Sequence, residues 1–421
     1  MSESIVKYMT KKQLKGIKFS KMKLKLPNDV ESIGLYVHIP FCKIPCPYCP
    51  YNRYPWQPNK AEPYINAVKK EINLYKEMLG GITVNSLYFG GGTPTLMPEG
   101  LAEIVEHVKE SFTVKGDICT EANPDDLSEN TLDLLLGSGI KKLSIGVQSF
   151  DDDILRAIGR MSHGGKTAID AIKAALAKDF DCVNIDLMFS LPTQTLSDLR
   201  NDLEISIKME VPQITTYPLM LFPYTKMYRD VKRGRIKIPG DKMEKAMYGM
   251  IVDLLINAGY EPCSVWSFTK QGVEKYGSVE REEYIGIGAG AASRICQFTY
   301  WNTFLVDDYI KAVDKGLPIA IGSELSKKGS MAQWFMMRLY ETKVNKYGFS
   351  KQFGVELDEA LKWPLRMFRL FGIIKSDKNS VQVTERGMYP VHLMTKTFLS
   401  TYISRISEEC MKNPWPTSFE I

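Results

Sequence analysis

The sequence predicts an α/β protein, a partial (β/α)6 TIM-like barrel followed by a C-terminal helical, winged-helix-like domain. Three observations predict it. Short apolar runs alternate with longer amphipathic stretches from residue 33 to about residue 267. Ser and Thr stand where the helices should begin, and glycines stand where they should end. Beyond about residue 302 the alternation stops, and helical patterns are followed by one hairpin.

Strands are expected at 34–40, 86–89, 118–123, 142–147, 183–189 and 214–219, with a seventh at 262–267. Helices are expected between them at 61–77, 100–112, 128–137, 165–177 and 195–208. Ser128 and Thr195 are good N-cap residues, and Gly137 and Gly139 end a helix. Repeated strand–helix units give a parallel sheet with helices outside, and in a barrel the chemistry sits at the C-terminal strand ends. Further helices are expected at 307–315, 330–342 and 357–371, with a hairpin at 372–384. The expected domains are a basic arm (1–33), a barrel (34–302) and the winged-helix-like part (303–421). No dense basic recognition helix is present, so the last part reads as a lid or packing element. The apolar stretch 334–339 should pack against the barrel. The charge run 7–25 reads as a solvated tail.

Composition excludes several classes. In 421 residues, 44 % are hydrophobic and 24 % charged, as in ordinary globular proteins. Basic residues number 54 and acidic 49, a balance that does not point to nucleic acid. No apolar run approaches the ~20 residues of a membrane-spanning helix. The basic N-terminus lacks the apolar core of a secretory signal. A cytoplasmic protein, a monomer, is the expectation.

Three of the eight cysteines lie in Cys42-Lys-Ile-Pro-Cys46-Pro-Tyr-Cys49, directly after the first strand. Clustered cysteines in such a chain more often bind metal than form disulfides. Three thiolates suit an iron–sulfur cluster with one iron left open to a small chelating molecule. Zinc is the alternative, but zinc normally recruits a fourth Cys or His. His38 is not placed like such a ligand.

This spacing, in the loop after the first strand, resembles the radical SAM superfamily. More narrowly, Tyr36-Val-His-Ile-Pro-Phe-Cys42 resembles the oxygen-independent coproporphyrinogen III oxidase family, from residue 34 to about 313. That family includes porphyrinogen oxidases, heme chaperones and class C radical SAM methyltransferases. The resemblance implies a [4Fe–4S] cluster on Cys42, Cys46 and Cys49, which reductively cleaves S-adenosylmethionine to a 5′-deoxyadenosyl radical. It also implies an electron donor such as flavodoxin or ferredoxin. By the same resemblance Tyr36, Gly91, Gly92, Thr93, Glu121, Gln148, Arg160 and Asp186 match positions that contact S-adenosylmethionine. Tyr48 matches an aromatic position that stacks on adenine. The residue types agree: carboxylates and an amide can fix ribose hydroxyls, and an Arg can pair a carboxylate. The glycine-rich stretch Tyr284–Ser293 is expected to help close the adenosine site. No catalytic residue is assigned beyond the cluster.

What the radical is used for is less legible. The heme chaperones carry His-Asn-x-x-Tyr-Trp before their second glycine-rich turn, whereas here the stretch is Lys275-Tyr-Gly-Ser-Val-Glu-Arg-Glu-Glu-Tyr284. The porphyrinogen oxidases carry a further Cys after the triad, where this chain has Pro50-Tyr51, and an Ala after a sixth-strand Tyr, where it has Tyr217-Pro218. The favoured expectation is therefore methylation of an sp² carbon on a planar acceptor such as a quinone, heteroaromatic or tetrapyrrole, using two S-adenosylmethionine molecules. Oxidative decarboxylation of a porphyrinogen and heme carriage without turnover remain alternatives. Tyr217, Phe222, Tyr224, Trp266, Phe268, Tyr300 and Trp301 are residues that can line an apolar acceptor pocket.

Overall fold

The computed structural model describes residues 3–24, 26, 30–277 and 283–421. Six parallel strands, Ser32–Ile39, Thr83–Gly91, Thr113–Ala122, Lys142–Gln148, Cys182–Phe189 and Gln213–Pro218, lie side by side in chain order. Their apolar runs are covered: Leu35, Val37, Leu87, Phe89, Leu143, Ile145, Ile185 and Leu187 are fully buried. These residues alternate along each strand and so share one face, while the intervening Ser144, Gly146 and Asp186 face the cavity. Five helices between them, Pro58–Leu79, Pro98–Ser111, Glu129–Ser138, Gly165–Leu176 and Leu196–Lys208, cover the outside. The Ser128 hydroxyl accepts from the Thr131 amide, and Thr195 closes a capping box with Asp198. The six-stranded parallel barrel and its five outer helices thus stand where the alternation put them.

Both edges of the parallel barrel are extended. On one side the hairpin Tyr260–Pro262 and Ser267–Lys270 pairs antiparallel with Gln213–Pro218. The seventh strand expected at 262–267 is therefore a turn between two short strands, and Ser264 caps that turn by accepting from the Trp266 and Ser267 amides. On the other side Tyr284–Ile287 joins the first strand in parallel. Antiparallel strands Ala292–Ile295, Phe298–Asn302, Ile319–Glu324, Lys18–Ser20 and Ser418–Glu420 continue the sheet. The sheet thus crosses both expected boundaries, at 33/34 and at 302/303.

The basic arm is not a solvated tail. Glu3–Leu14 is a helix whose Val6, Thr10 and Leu14 are buried at four-residue spacing. Phe19 then enters a cluster with Trp301, Tyr402 and Phe419. Lys7, Lys11 and Lys12 on the other side hid this stripe from a reading by charge. Farther on, 357–371 divides into Leu357–Ala360 and Lys362–Leu370, and the hairpin of Ile374–Ser376 and Ser380–Val383 forms as expected. Lys327–Tyr340 buries Trp334, Phe335 and Leu339, but Trp334 packs on Phe349 and Phe353 and Phe335 on Phe368, all in the C-terminal part and not the barrel. The 28-residue helix Glu385–Lys412 was not anticipated.

That helix is clamped to the barrel through His392, which is fully buried. Trp266 Nε1 donates to His392 Nδ1 at 2.9 Å, and His392 Nε2 lies 3.2 Å from Glu244 Oε1. An indole N–H can only donate, so Nδ1 accepts and the proton sits on Nε2, facing the carboxylate. Lys396 completes the group at 2.5 Å from Glu244. Burial alone would raise the Glu244 carboxyl, but the His392 hydrogen bond and the Lys396 charge outweigh it and hold it near 2. His392→Ala would leave a buried indole donor and a buried carboxylate short of a partner. The expected loss is about 2–4 kcal/mol in urea unfolding, and an unchanged midpoint contradicts the clamp.

Candidate functional site

The loop of the three cysteines is zipped at its two ends. Phe41–Cys42 pairs in parallel with Tyr54–Pro55, and the Trp56 amide donates to the Cys42 carbonyl at 2.8 Å. Inside the loop the Cys49 amide donates to the Cys46 carbonyl, and Arg53 Nη2 reaches the same carbonyl at 2.7 Å. Lys43 is held outside by Asp125 and Asp126.

Behind the loop lies a second layer that residue-type reasoning missed. The Asn52 carboxamide donates to the carbonyls of Ala289 and Phe304 at 2.9 and 2.8 Å. His38 Nε2 lies 2.7 Å from the Asn52 carbonyl, and Nδ1 lies 2.8 Å from the Tyr36 hydroxyl. A carbonyl only accepts, so Nε2 carries the proton and Nδ1 accepts from Tyr36. Burial lowers the His38 pKa to about 4, which keeps the ring neutral in this arrangement. Two glycines permit the close approach. At Gly290 (φ +76°) a Cβ would meet Asn52 Nδ2 at 2.6 Å, and at Gly91 (φ +119°) it would meet the His38 ring at 2.6 Å. The turn of Gly286–Gly290 therefore backs the cysteine loop and does not line the cavity, contrary to the role expected for it.

On the open side a cavity of about 1190 Å³ runs from the loop toward the C-terminal helices. Cys42, Cys46, Cys49, Tyr48, Gly91, Gly92, Glu121, Gln148, Arg160 and Asp186 all line it. The geometry thus brings together ten of the twelve residues singled out from the sequence. Tyr36 and Thr93 lie behind this surface. Tyr36 holds His38, and the buried Thr93 hydroxyl accepts from Asn123 and bonds Cys42.

The polar groups around the cavity are pre-arranged by neighbours. Glu121 accepts from the Tyr88 hydroxyl at 2.7 Å and from the Gly91 amide at 3.2 Å. Gln148 Oε1 accepts from Tyr217, and Asp186 Oδ1 accepts from Asn184. Burial, followed by the charge of Glu121, pushes the Asp186 carboxyl up to about 7. Arg160 donates to the Cys46 sulfur at 3.1 Å, to Asn123 Oδ1 at 2.6 Å and to the Gly146 carbonyl at 2.8 Å. Asn123, directly after the third strand, could have been found by its position; His38, Asn52 and Arg53 carried no such signal.

A cofactor fits this arrangement. Burial raises the Cys42 and Cys49 thiols to about 11 and about 12, so metal binding must displace their protons. Arg53 and Arg160 supply positive charge beside them. No group of three His, Cys, Asp or Glu among the described residues is arranged to hold a single metal ion. In a cluster each thiolate binds its own iron, so the three cysteines need not converge on one point.

A partial parallel barrel with three thiols in the loop after its first strand, and acids and amides on the next strand ends, defines a class. Residues 36–205 match the Radical SAM superfamily. The heme chaperone HemW of Bacillus subtilis is 30 % identical over 361 residues, spanning 84 % of this chain and 95 % of that protein. HemW of Lactococcus lactis is 29 % identical over 375 residues, spanning 84 % and 93 %. The solved structure of coproporphyrinogen III oxidase (HemN) from Escherichia coli superposes with a TM-score of 0.78 at 21 % identity, covering 95 % of this chain and 99 % of that one. The chain belongs to the radical SAM superfamily, in the oxygen-independent coproporphyrinogen III oxidase-like family that holds these heme chaperones. Its cofactors are a [4Fe–4S] cluster and S-adenosylmethionine.

Two outcomes follow for the site. Cys46→Ala removes one of the three cavity thiols, and most of the visible absorbance of the reconstituted protein should vanish; full absorbance contradicts the assignment of the triad. The second concerns Glu71, fully buried behind the glycine turn, which accepts from the Gly288 amide, Tyr309 and Asn302. Burial outweighs these donors and raises its carboxyl from 4.5 to about 7. The folded state thus holds the proton more tightly than the unfolded chain. This contribution is full below about pH 4.5 and is lost as pH rises through about 7. Glu71→Gln should reduce the fall in stability between those pH values by up to about 3 kcal/mol. An identical slope in urea unfolding of wild type and variant rules the linkage out.

Proposed function

We propose that this chain binds heme or a closely related tetrapyrrole in the central cavity and carries it, with the cluster and S-adenosylmethionine at the cavity floor. The observation that carries this reading is the cavity itself. At about 1190 Å³ it exceeds the ~300–1,000 Å³ of an ordinary small-ligand pocket. Its upper walls are aromatic and thioether: Trp266, Phe335, Met336, Phe368, Met394 and Phe398. Such walls suit a flat apolar ring. The name of the HemW relatives supports the same ligand class.

Within that reading the chain's own residues have distinct tasks. Cys42, Cys46 and Cys49 would hold the cluster. Glu121, Gln148 and Asp186 would orient S-adenosylmethionine, and Arg160 would neutralise its carboxylate. When bound, the cluster supplies the electron that breaks a carbon–sulfur bond of S-adenosylmethionine. No histidine is among the described residues lining the cavity. A heme iron there would rely on sulfur or phenol donors, such as Met336, Met394, Cys263 or Tyr340.

One observation favours a second reading. The stretch before the glycine turn lacks the His-Asn of the heme chaperones, although its residues 278–282 lie outside the described ones. Turnover, as methylation of a planar acceptor with two S-adenosylmethionine molecules, is the reading that this departure supports. Of the aromatics expected to form an acceptor pocket, Tyr217, Phe222 and Trp266 do line the cavity. Tyr224, Phe268, Tyr300 and Trp301 do not: Tyr224 bonds the Pro50 carbonyl, Phe268 and Tyr300 are core, and Trp301 packs on Phe19.

Heme titration of the cluster-loaded protein, with and without S-adenosylmethionine and dithionite, separates these readings. Carriage gives about one heme per chain and no product-linked 5′-deoxyadenosine. Methyl transfer gives labelled product with S-adenosylhomocysteine. Carbon dioxide from coproporphyrinogen marks an oxidase. Failure to bind heme under all conditions sinks the carrier reading.

A further inference from the structure

The opening of the cavity has an unusual border. Two helices from opposite ends of the chain meet it, Glu3–Leu14 and Lys362–Leu370. Each buries one face and leaves large apolar side chains on the other. Lys362–Leu370 buries Leu365 and Phe368, yet Trp363 is 69 % exposed and Leu370 75 %, with Met367 between them. These three recur at positions i, i+4 and i+7, one helix face. On Glu3–Leu14 the exposed large apolar side chains are Ile5, Tyr8 and Met9, again one face. Trp363, Met367 and Met9 also line the cavity, so the exposed patches run into its mouth. Surface apolar residues scattered singly need no explanation, but groups of three on one face of each of two helices that reach the same opening do.

Charge accompanies the apolar residues. Lys15, Lys18 and Lys328 are exposed and line the cavity. Lys362 and Arg366 flank Trp363, with the Arg366 guanidinium 5.7 Å from the indole ring centre. None of these five cations has a carboxylate partner among the described residues. Glu324 is the exposed acid that shares the rim. A tryptophan-bearing apolar face flanked by free cations is the pattern of a helix that lies in a membrane interface.

We propose that the rim of the cavity docks on an anionic lipid surface. Trp363, Met367 and Leu370 enter the interfacial layer, and the rim cations meet lipid phosphates. The cavity mouth then faces the bilayer, and a flat apolar ligand passes between lipid and cavity without crossing water. The inference rests on the cavity and its rim, and it holds whichever planar ligand the cavity takes. No helix of the described residues is long and apolar enough to cross a membrane, so the contact is peripheral.

Flotation of the cluster-loaded full chain tests it, with phosphatidylcholine vesicles against vesicles that also contain phosphatidylglycerol. Binding to the anionic vesicles is expected, weakening with added salt. Trp363→Ser combined with Leu370→Ser should lower vesicle affinity by at least about tenfold. Lys15→Glu combined with Lys328→Glu should also lower it about tenfold or more. All four side chains are exposed, so cluster absorbance and thermal midpoint should match wild type; that match confines the loss to the surface. Three results overturn the proposal: no preference for anionic vesicles, undiminished binding of the Ser variant, or a concentration-dependent dimer that the Ser variant breaks and no vesicle binding.

Discussion

The carboxamide of Asn52 is the interaction on which the rest of the site depends. It stands three residues after Cys49 and spans from the cysteine loop to the backbone at Ala289 and Phe304, more than two hundred residues away. Cys46 and Tyr48 pack one side of the loop on Ile158, Met188 and Leu191, and the Asn52 amide ties its other side to the closing strands. Each of these hydrogen bonds is worth about 1 kcal/mol net. Removing the amide would do more harm than that figure implies, because the Ala289 carbonyl would lose its partner at a cost of about 1–3 kcal/mol, while the Phe304 carbonyl would keep only the Tyr54 hydroxyl. The site therefore rests on a pairing between the beginning of the barrel and the strands that close it.

This pairing also explains the shape of the sheet. Six parallel strands do not close on themselves, and an open edge at Ser32–Ile39 would expose the strand that carries the cysteine loop. Tyr284–Ile287 covers that edge, and its following turn delivers Ala289 to Asn52. Gly290 is needed there because any Cβ would collide with the amide it serves. Glu71 fixes the same turn from the outer helix. At the other edge, Trp266 and His392 bring the long C-terminal helix over the cavity, so its upper wall comes from residues far beyond the barrel. The large cavity is a consequence of both edges being extended.

Much of this could be read from the residues. Strands such as Lys142–Gln148 alternate Leu143, Ile145 and Val147 with small or polar residues between helices with plain caps, and their ends are where acids and amides fall. The cysteine spacing, followed by Gly91 and Gly92, located the cavity floor. Other features left no local trace. Tyr36 and Thr93 resemble ligand contacts by position, but the Tyr36 hydroxyl, on the same face as Tyr88, is taken by His38, and the Thr93 hydroxyl by Asn123. The arm reads as a charge run because its lysines outnumber the apolar residues at four-residue spacing. The span 262–267 has the composition of a strand, but Ser264 caps a turn there. The roles of His38, Asn52 and Glu71 depend on partners that only the folded chain brings near.

The most direct measurement is the iron content of reconstituted Asn52→Ala, taken together with its unfolding midpoint. If the amide holds the cysteine loop in register, the variant should fold with a lowered midpoint and retain well under the wild-type iron per chain, with all three cysteines intact. A variant that loads iron and absorbs like wild type, despite lost stability, would show that the loop is positioned by the cluster and not by the protein behind it.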